Sequence, residues 1–163
     1  MGKAWKFGDN ISTDLIAPGR YFHLRSNLPE LAKHVLEGAR TEFASLVRSG
    51  DFVVAGENFG LGSSREHAPV IINLAGAKAV LAKSFARIFY RNCINIGLPA
   101  ITCNTDEIEE GDELELDMEQ GIITNRTKGT ELTFTPLPGV MNRILHEGGL
   151  VAYIKNHKSL EKI

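Results

Sequence analysis

Residues 52–102 read FVVAGENFGLGSSREHAPVIINLAGAKAVLAKSFARIFYRNCINIGLPAIT, and this stretch decides the fold. Short apolar runs alternate in it with helical patterns, giving predicted strands at 52–55, 79–82 and 99–102 and helices at about 68–74 and 84–96. Parallel strands joined by right-handed helical crossovers account for this alternation, and strands that are apolar throughout are typical of burial on both faces. The stretch therefore predicts an α/β fold with a small parallel core sheet flanked by helices.

The segments on either side extend this core. Before it, a strand is predicted at 3–7 and a helix at 29–36, where Pro29 fits a first-turn position and Gly38 ends the run. After it, period-two patterns predict antiparallel strands at 113–116, 121–124 and 131–135, followed by short helices at 140–146 and 150–155. Because no repeat or linker interrupts the chain, we expect one domain over residues 1–163, an α/β domain with an antiparallel β appendage.

The charge and hydropathy of the chain argue against several classes of function. Eighteen basic and twenty acidic side chains give a net charge of −2, without the positive excess that nucleic acid or an anionic membrane selects. No apolar stretch is long enough to cross a bilayer, and the first residues lack the apolar core and cleavage site of a secretion signal. We therefore expect a cytoplasmic protein that binds neither nucleic acid nor membrane.

The two cysteines, Cys93 and Cys103, form no CxxC pair and have no histidine at metal-ligand spacing. Both are expected to be buried free thiols. A cubane iron–sulfur cluster needs three or more protein ligands, so these cysteines alone cannot hold one. The sequence predicts no metal site in this chain.

The candidate ligand-binding loop lies between the strand at 52–55 and the helix that follows it. Gly60 and Gly62 allow the backbone to turn its N–H groups inward, and the next helix adds positive potential at its N-terminus, so we expect an anionic ligand. A dinucleotide fingerprint beginning at Gly60 would need glycine where Arg65 stands, and no Gly-Lys-Ser/Thr phosphate loop is present. Nucleotide binding is therefore not expected.

The same residues have a structural alternative. Ser63 and Glu66 have the spacing of a capping box, which would place Ser63 at the start of the helix. Such a helix would hold Pro69 in its interior, where proline removes a hydrogen bond and clashes with the preceding turn. We therefore expect the helix to begin later and the serines to lie on loop backbone.

Three motifs in order carry a resemblance to a known family: Asp9-Asn10-Ile11-Ser12-Thr13-Asp14, Gly62-Ser63-Ser64-Arg65-Glu66 and Lys83-Ser84-Phe85-Ala86-Arg87-Ile88. They resemble segments of the aconitase family's swivelling C-terminal domain, its domain 4, and the resemblance spans nearly the whole chain. A chain comprising only this domain resembles the separate small subunits of isopropylmalate dehydratases and homoaconitases rather than the single-chain aconitases.

The resemblance implies a hydro-lyase that removes and re-adds water across adjacent carbons of a hydroxy-dicarboxylate, for isopropylmalate in leucine biosynthesis. It implies a large catalytic subunit as partner, whose 4Fe–4S cluster polarises the departing hydroxyl, and no cofactor in this chain. Ser63 is the implied general base, with its alkoxide stabilised by loop N–H groups and by Arg65. Arg65 and Gly62 would bind a substrate carboxylate, Ser64 would add a hydrogen bond, and Asp14 would orient neighbouring groups.

Several of these assignments have alternatives that the sequence leaves open. Ser64 could satisfy its own backbone, Asp14 could open an Asx turn, and Arg87 could be an ordinary exposed side chain. A non-catalytic anion-binding regulatory module could keep the same loop and would need no cluster-bearing partner. When isolated, a small subunit could form homo-oligomers.

The segment after Asp14 bears on substrate choice, because its counterpart in two-subunit relatives contacts the group that differs between isopropylmalate and homoaconitate-type acids. Here it reads Arg20-Tyr21-Phe22-His23-Leu24-Arg25-Ser26. Leu24 could pack against an isopropyl group. Arg25 could pair with an extra carboxylate or with the carboxylate that every substrate shares. The segment is therefore compatible with either acid or with both.

Overall fold

The computed structural model describes residues 1–62 and 65–157, and in this part of the chain seven strands form one mixed sheet. The strands are β1 (Gly2–Lys6), β2 (Phe52–Val54), β3 (Ala79–Ala82), β4 (Ala100–Thr102), β5 (Glu113–Asp117), β6 (Ile122–Asn125) and β7 (Thr130–Thr133). Their order across the sheet is β4-β3-β2-β1-β5-β6-β7. Neighbours are parallel from β4 to β1 and antiparallel from β1 to β7.

Helices connect these strands and cover them. The α-helices are α1 (Thr13–Ile16), α2 (Leu28–Ala32), α3 (Phe43–Leu46), α4 (His67–Leu74), α5 (Arg87–Asn95), α6 (Gly139–His146) and α7 (Leu150–His157), and short 3-10 helices lie at Gly19–Leu24 and Thr105–Glu107. Across the described ranges, no helix has the length and apolar character that a membrane crossing requires.

β1 joins the two halves of the sheet. Along one edge it runs parallel to β2, with Trp5 beside Val53, and along the other it runs antiparallel to β5, with Gly2 beside Leu114. The predicted fold class is confirmed. The predicted antiparallel strands extend the same sheet, because β1 pairs with β5 as well as with β2.

The two faces of the parallel core are covered by different layers. On one face, Val53 and Val80 belong to a hydrophobic cluster with residues of α4 and α5, such as Ile72 and Phe89. On the other face, the alternate residues of the parallel strands pack in a second cluster with Ile108 and with Leu114 and Ile123 of the antiparallel half: Ala4, Phe52, Val54, Ala79, Leu81 and Ile101. The continuous apolar character of the strands follows from burial on both faces.

Two predicted helices are shorter than expected because tertiary contacts interrupt them. The helix predicted at 29–36 is limited to α2, since Leu36 has a φ of +56° and donates its N–H to Ile16 O. The helix predicted at 84–96 begins only at Arg87, because Phe85 first forms a parallel bridge with Phe59. In both places a long-range backbone contact outweighs local helix preference.

The start of α4 agrees with the expectation drawn from Pro69. The N-cap of α4 is Glu66, so Pro69 lies in the first turn. Backbone N–H groups in the first turn have no acceptor within the helix, so a proline there costs no helical hydrogen bond. A capping box beginning at Ser63 is therefore not the N-terminus of this helix.

The cysteines differ in burial. Cys93 is buried and Cys103 is only partly buried, so the expectation of two buried thiols holds for Cys93 alone, although both are free. Burial raises the pKa of Cys103 to about 11 and also raises the pKa of Cys93. Neither thiol is therefore ionised at neutral pH.

Candidate active site

The loops that follow β1 and β2 run side by side at the carboxyl edge of the parallel strands. Gly60 N–H donates to Ile11 O at 2.7 Å, and Thr13 N–H donates to Leu61 O at 2.9 Å. These hydrogen bonds fix the aspartate segment against the glycine loop. Carboxyl ends of parallel strands are where open α/β sheets bind their ligands.

Arg65 and Asp14 meet between these loops. Arg65 Nη2 lies 3.2 Å from Asp14 Oδ1, and Arg65 Nη1 donates to Ala17 O at 2.6 Å. The same Asp14 oxygen accepts from Gly19 N–H at 3.1 Å, so Asp14 lies in α1 and is bonded across to the next segment instead of forming an Asx turn. The Arg65 side chain is 22% exposed, which leaves the guanidinium held by protein on one side and open on the other.

The glycine loop forms one wall of a small cavity. Gly60 and Gly62 have φ values of +84° and +107°, which favour glycine, and a Cβ at Gly60 would overlap the ring of Phe89. The cavity has a volume of about 190 Å³ and is lined by Thr13, Gly60, Gly62, Arg65, Ala86, Arg87, Ile88, Phe89 and Asn92. Cationic groups and an apolar helix start therefore face the same space.

Ser63 and Ser64, the predicted base and its neighbour, lie outside the described residues. Gly62 and Arg65, the residues on either side of them in the sequence, both line the cavity. The assignments of Ser63 and Ser64 remain predictions.

The predicted substrate-choice residues Leu24 and Arg25 differ in burial. Leu24 is partly buried and packs against the main hydrophobic core, whereas Arg25 is exposed, with its guanidinium 4.3 Å from the centre of the Phe22 ring. Burial first, and then the charges of Arg65 and Arg25, lower the pKa of His67. Both arginines therefore contribute to one positive field around the start of α4.

No group of three or more histidine, cysteine, aspartate and glutamate side chains is placed to hold a metal ion anywhere in residues 1–62 and 65–157. The chemistry of the described site is that of cationic and hydrogen-bonding groups.

A carboxylate that the sequence did not point to braces the substrate-choice segment. Glu37 Oε1 accepts from Tyr21 Oη at 2.8 Å and from Arg20 Nη2 at 2.9 Å, while its Oε2 lies 2.7 Å from His34 Nδ1. The rings of Tyr21 and His34 stack with centroids 3.7 Å apart. Arg20 and Tyr21 are 17 and 16 residues from Glu37 in the sequence, so only the fold brings them to this carboxylate, whereas His34 is three residues away.

Replacing Glu37 with glutamine should destabilise the chain near neutral pH. Burial raises the pKa of Glu37, but hydrogen bonds from His34, Tyr21 and Arg20 outweigh it and lower the pKa from 4.5 to about 2. A carboxylate whose pKa is lowered by folding stabilises the fold at pH values above its pKa in the unfolded chain. This stabilisation is lost as the pH falls through the folded-state pKa. After allowance for solvent screening, Glu37→Gln should cost about 1–2 kcal/mol at pH 7 and almost nothing near pH 2.

Denaturant unfolding of the isolated chain between pH 2 and pH 7 measures this difference. Glu42→Gln is the matched control, because Glu42 also pairs with an arginine, Arg40, but is 51% exposed and should contribute little. An unfolding free energy of Glu37→Gln that stays equal to that of the wild type at pH 7 would contradict the bracing role.

Comparison with known proteins agrees with the fold and with the motifs. Residues 10–106 match the family described as the aconitase C-terminal domain. The chain is 62% identical over 161 residues to 3-isopropylmalate dehydratase small subunit 2 of Archaeoglobus fulgidus, covering 99% of this chain and 98% of that protein. It is also 62% identical to small subunit 1 of Thermotoga maritima over 163 residues, with 99% and 98% covered.

A solved structure is similar over the same length. The crystal structure of 3-isopropylmalate dehydratase from Methanocaldococcus jannaschii matches with a TM-score of 0.92 and 47% sequence identity, covering 99% of this chain and 96% of that one. The sequence matches and the structural match each cover 99% of this chain. The protein therefore belongs to the aconitase C-terminal domain family and, within it, to the small subunits of 3-isopropylmalate dehydratase.

Proposed function

We propose that this chain works as one swivelling domain that supplies half of the active site of a two-subunit 3-isopropylmalate dehydratase. The enzyme would interconvert 2-isopropylmalate and 3-isopropylmalate through 2-isopropylmaleate, by loss and return of water, in leucine biosynthesis. The observation that carries the proposal is Arg65, held by Asp14 and Ala17 O and open towards a cavity walled by the glycine loop.

Arg65 would bind a substrate carboxylate. Arg65 Nη1 donates a hydrogen bond to Ala17 O and Nη2 forms an ion pair with Asp14, so the guanidinium is held in place while other N–H donors stay available. A fixed guanidinium pairs with a carboxylate through parallel hydrogen bonds, which sets the orientation of the ligand as well as its affinity. Asp14 would thus act by orienting Arg65.

Ser63 would take the proton from the carbon next to the bound carboxylate, and during rehydration it would deliver a proton to the carbon that lost the hydroxyl while water adds its hydroxyl to the carbon that lost the proton. A serine hydroxyl is too weakly acidic to do this unaided, so N–H groups of the glycine loop and the charge of Arg65 must favour its alkoxide. Gly62 suits such a loop, since its φ of +107° orients the backbone as few other residues could. When bound in the large subunit, a 4Fe–4S cluster supplies the Lewis acid that the departing hydroxyl needs.

The decisive experiment combines the purified chain with a cluster-loaded large subunit in the absence of oxygen. Formation of the unsaturated acid from isopropylmalate should require both chains, because each would hold only part of the site. Ser63→Ala should lower kcat by at least about a hundredfold, as expected when a general base is removed. No turnover with a competent large subunit would favour the non-catalytic anion-binding module instead.

Homoaconitate-type acids are the second candidate substrates, and the exposed guanidinium of Arg25, whose charge acts on His67 together with that of Arg65, is the observation that favours them. An additional carboxylate on the substrate could pair with Arg25. Turnover of isopropylmalate and homoisocitrate by Leu24→Ala and by Arg25→Ala separates the two assignments. Equal losses on both acids would mean that neither residue discriminates between them.

A further inference from the structure

Two asparagines in the left-handed backbone region lie at the base of the candidate site. Asn10 and Asn58 both have a φ of +57°, a conformation that asparagine tolerates better than most residues with a side chain. Their side chains are joined, since Asn58 Nδ2 donates to Asn10 Oδ1 at 3.1 Å. Asn10 lies in the loop that follows β1, and Asn58 lies in the loop that follows β2.

The same pair connects the loops after three strands. Asn10 N–H donates to Glu57 O at 2.8 Å, which joins the loop after β1 to the loop after β2. Asn58 N–H donates to Ser84 Oγ at 2.8 Å, and Ser84 Oγ in turn donates to Glu57 Oε2 at 2.7 Å. Ser84 follows β3, so these hydrogen bonds connect the loops at the carboxyl ends of β1, β2 and β3.

The aspartate segment and the glycine loop begin directly after these asparagines. One residue beyond Asn10 lies Ile11, whose carbonyl accepts the Gly60 N–H, and two residues beyond Asn58 lies Gly60 itself. The first of these loops continues to Asp14, and the second continues to Arg65. If either asparagine left the left-handed region, the two loops would change direction relative to each other before reaching the ion pair.

We infer that Asn58, together with Asn10, is a positioning residue that sets the orientation of the glycine loop relative to Asp14. It touches neither Arg65 nor Asp14 and acts through the backbone of residues 59–62. This inference rests on the proposed function for its effect on turnover, but its effect on the loop can be measured in the isolated chain.

Glycine and alanine at position 58 separate the backbone conformation from the side-chain bond. Both substitutions remove the hydrogen bond to Asn10, but only glycine keeps easy access to a positive φ. In the reconstituted enzyme with isopropylmalate, Asn58→Ala should lower kcat by about a hundredfold, as a displaced reacting group does, and Asn58→Gly by no more than about fivefold. Asn156→Ala is the control, because it removes an exposed asparagine bond, to Glu147, far from the site in sequence and should leave kcat unchanged.

Equal kcat values for the glycine and alanine variants, whether both are active or both impaired, would overturn the inference. If Asn58→Ala does not fold, the pair Asn10→Gly and Asn10→Ala makes the same comparison. Hydrogen exchange of the Gly60 and Thr13 amides in the isolated chain gives a second readout, and the alanine variant should exchange about tenfold faster than the glycine variant. That difference would stand even if the wild-type complex failed to turn over isopropylmalate, and equal exchange rates would overturn the inference.

Discussion

Arg65→Ala should lower kcat/KM for isopropylmalate by about a thousandfold, which corresponds to about 4 kcal/mol of transition-state stabilisation. The substitution removes a charge that would bind the substrate carboxylate and stabilise the developing alkoxide. It also leaves Asp14 Oδ1 without its guanidinium partner and Ala17 O without its donor. Steady-state kinetics of the reconstituted enzyme measure the effect.

Two variants test whether the loss belongs to the proposed role of Arg65. Arg126→Ala removes an exposed arginine that pairs with Glu115 at 2.8 Å in the antiparallel half, and its kinetics should match the wild type. Arg65→Lys keeps the charge but not the forked geometry, and should recover only part of the activity. If Arg65→Lys equals the wild type, orientation by paired hydrogen bonds is not what the site requires.

Gly60→Ala should lower the free energy of unfolding by about 3 kcal/mol or more. Gly60 has a φ of +84°, and a Cβ there would lie 2.5 Å from Phe89 Cβ and closer still to the Phe89 ring. Phe89 is almost fully buried and stacks edge-on against Phe59, so it cannot move without opening the core. Denaturant unfolding of the isolated chain measures the loss without any need for the partner.

Gly129→Ala provides the matched control for the backbone contribution. Gly129 also has a positive φ, of +69°, but a Cβ there would meet no atom within 4 Å. Its substitution should cost only about 1 kcal/mol, the conformational part alone. The additional loss of unfolding free energy in Gly60→Ala then measures the cost of the overlap with Phe89. Equal losses of unfolding free energy in the two variants would mean that Phe89 moves aside.

Much of the fold could be predicted because local patterns and tertiary structure agree. The strands of the parallel core are apolar throughout, and Pro69 placed the start of α4 correctly. The prediction was wrong where a distant contact decided the conformation. Leu36 leaves the helical region to bond with Ile16 O, and Phe85 pairs with Phe59 before α5 begins. The role of β1 was also missed, because a strand's second neighbour cannot be read from its own sequence.

Some residues of the candidate site could likewise be predicted from the sequence, and others could not. Arg65, Asp14 and Gly62 were predicted together from ordered motifs, and the structure brings Arg65 and Asp14 into contact. Glu37 was not predicted, because its partners Arg20, Tyr21 and His34 acquire meaning only once the chain has folded back on itself. The paired conformations of Asn10 and Asn58 were hidden for another reason: a positive φ leaves no periodic pattern in a sequence.

The central place of β1 has a consequence for how the protein is made. During synthesis β1 emerges before its neighbour β2, and its other neighbour β5 appears only about a hundred residues after β1. Until then, one edge of the growing sheet keeps its N–H and C=O groups unpaired, and such an edge can recruit another chain. The antiparallel half therefore completes the sheet last, and pairing of β5 with β1 removes this exposed edge.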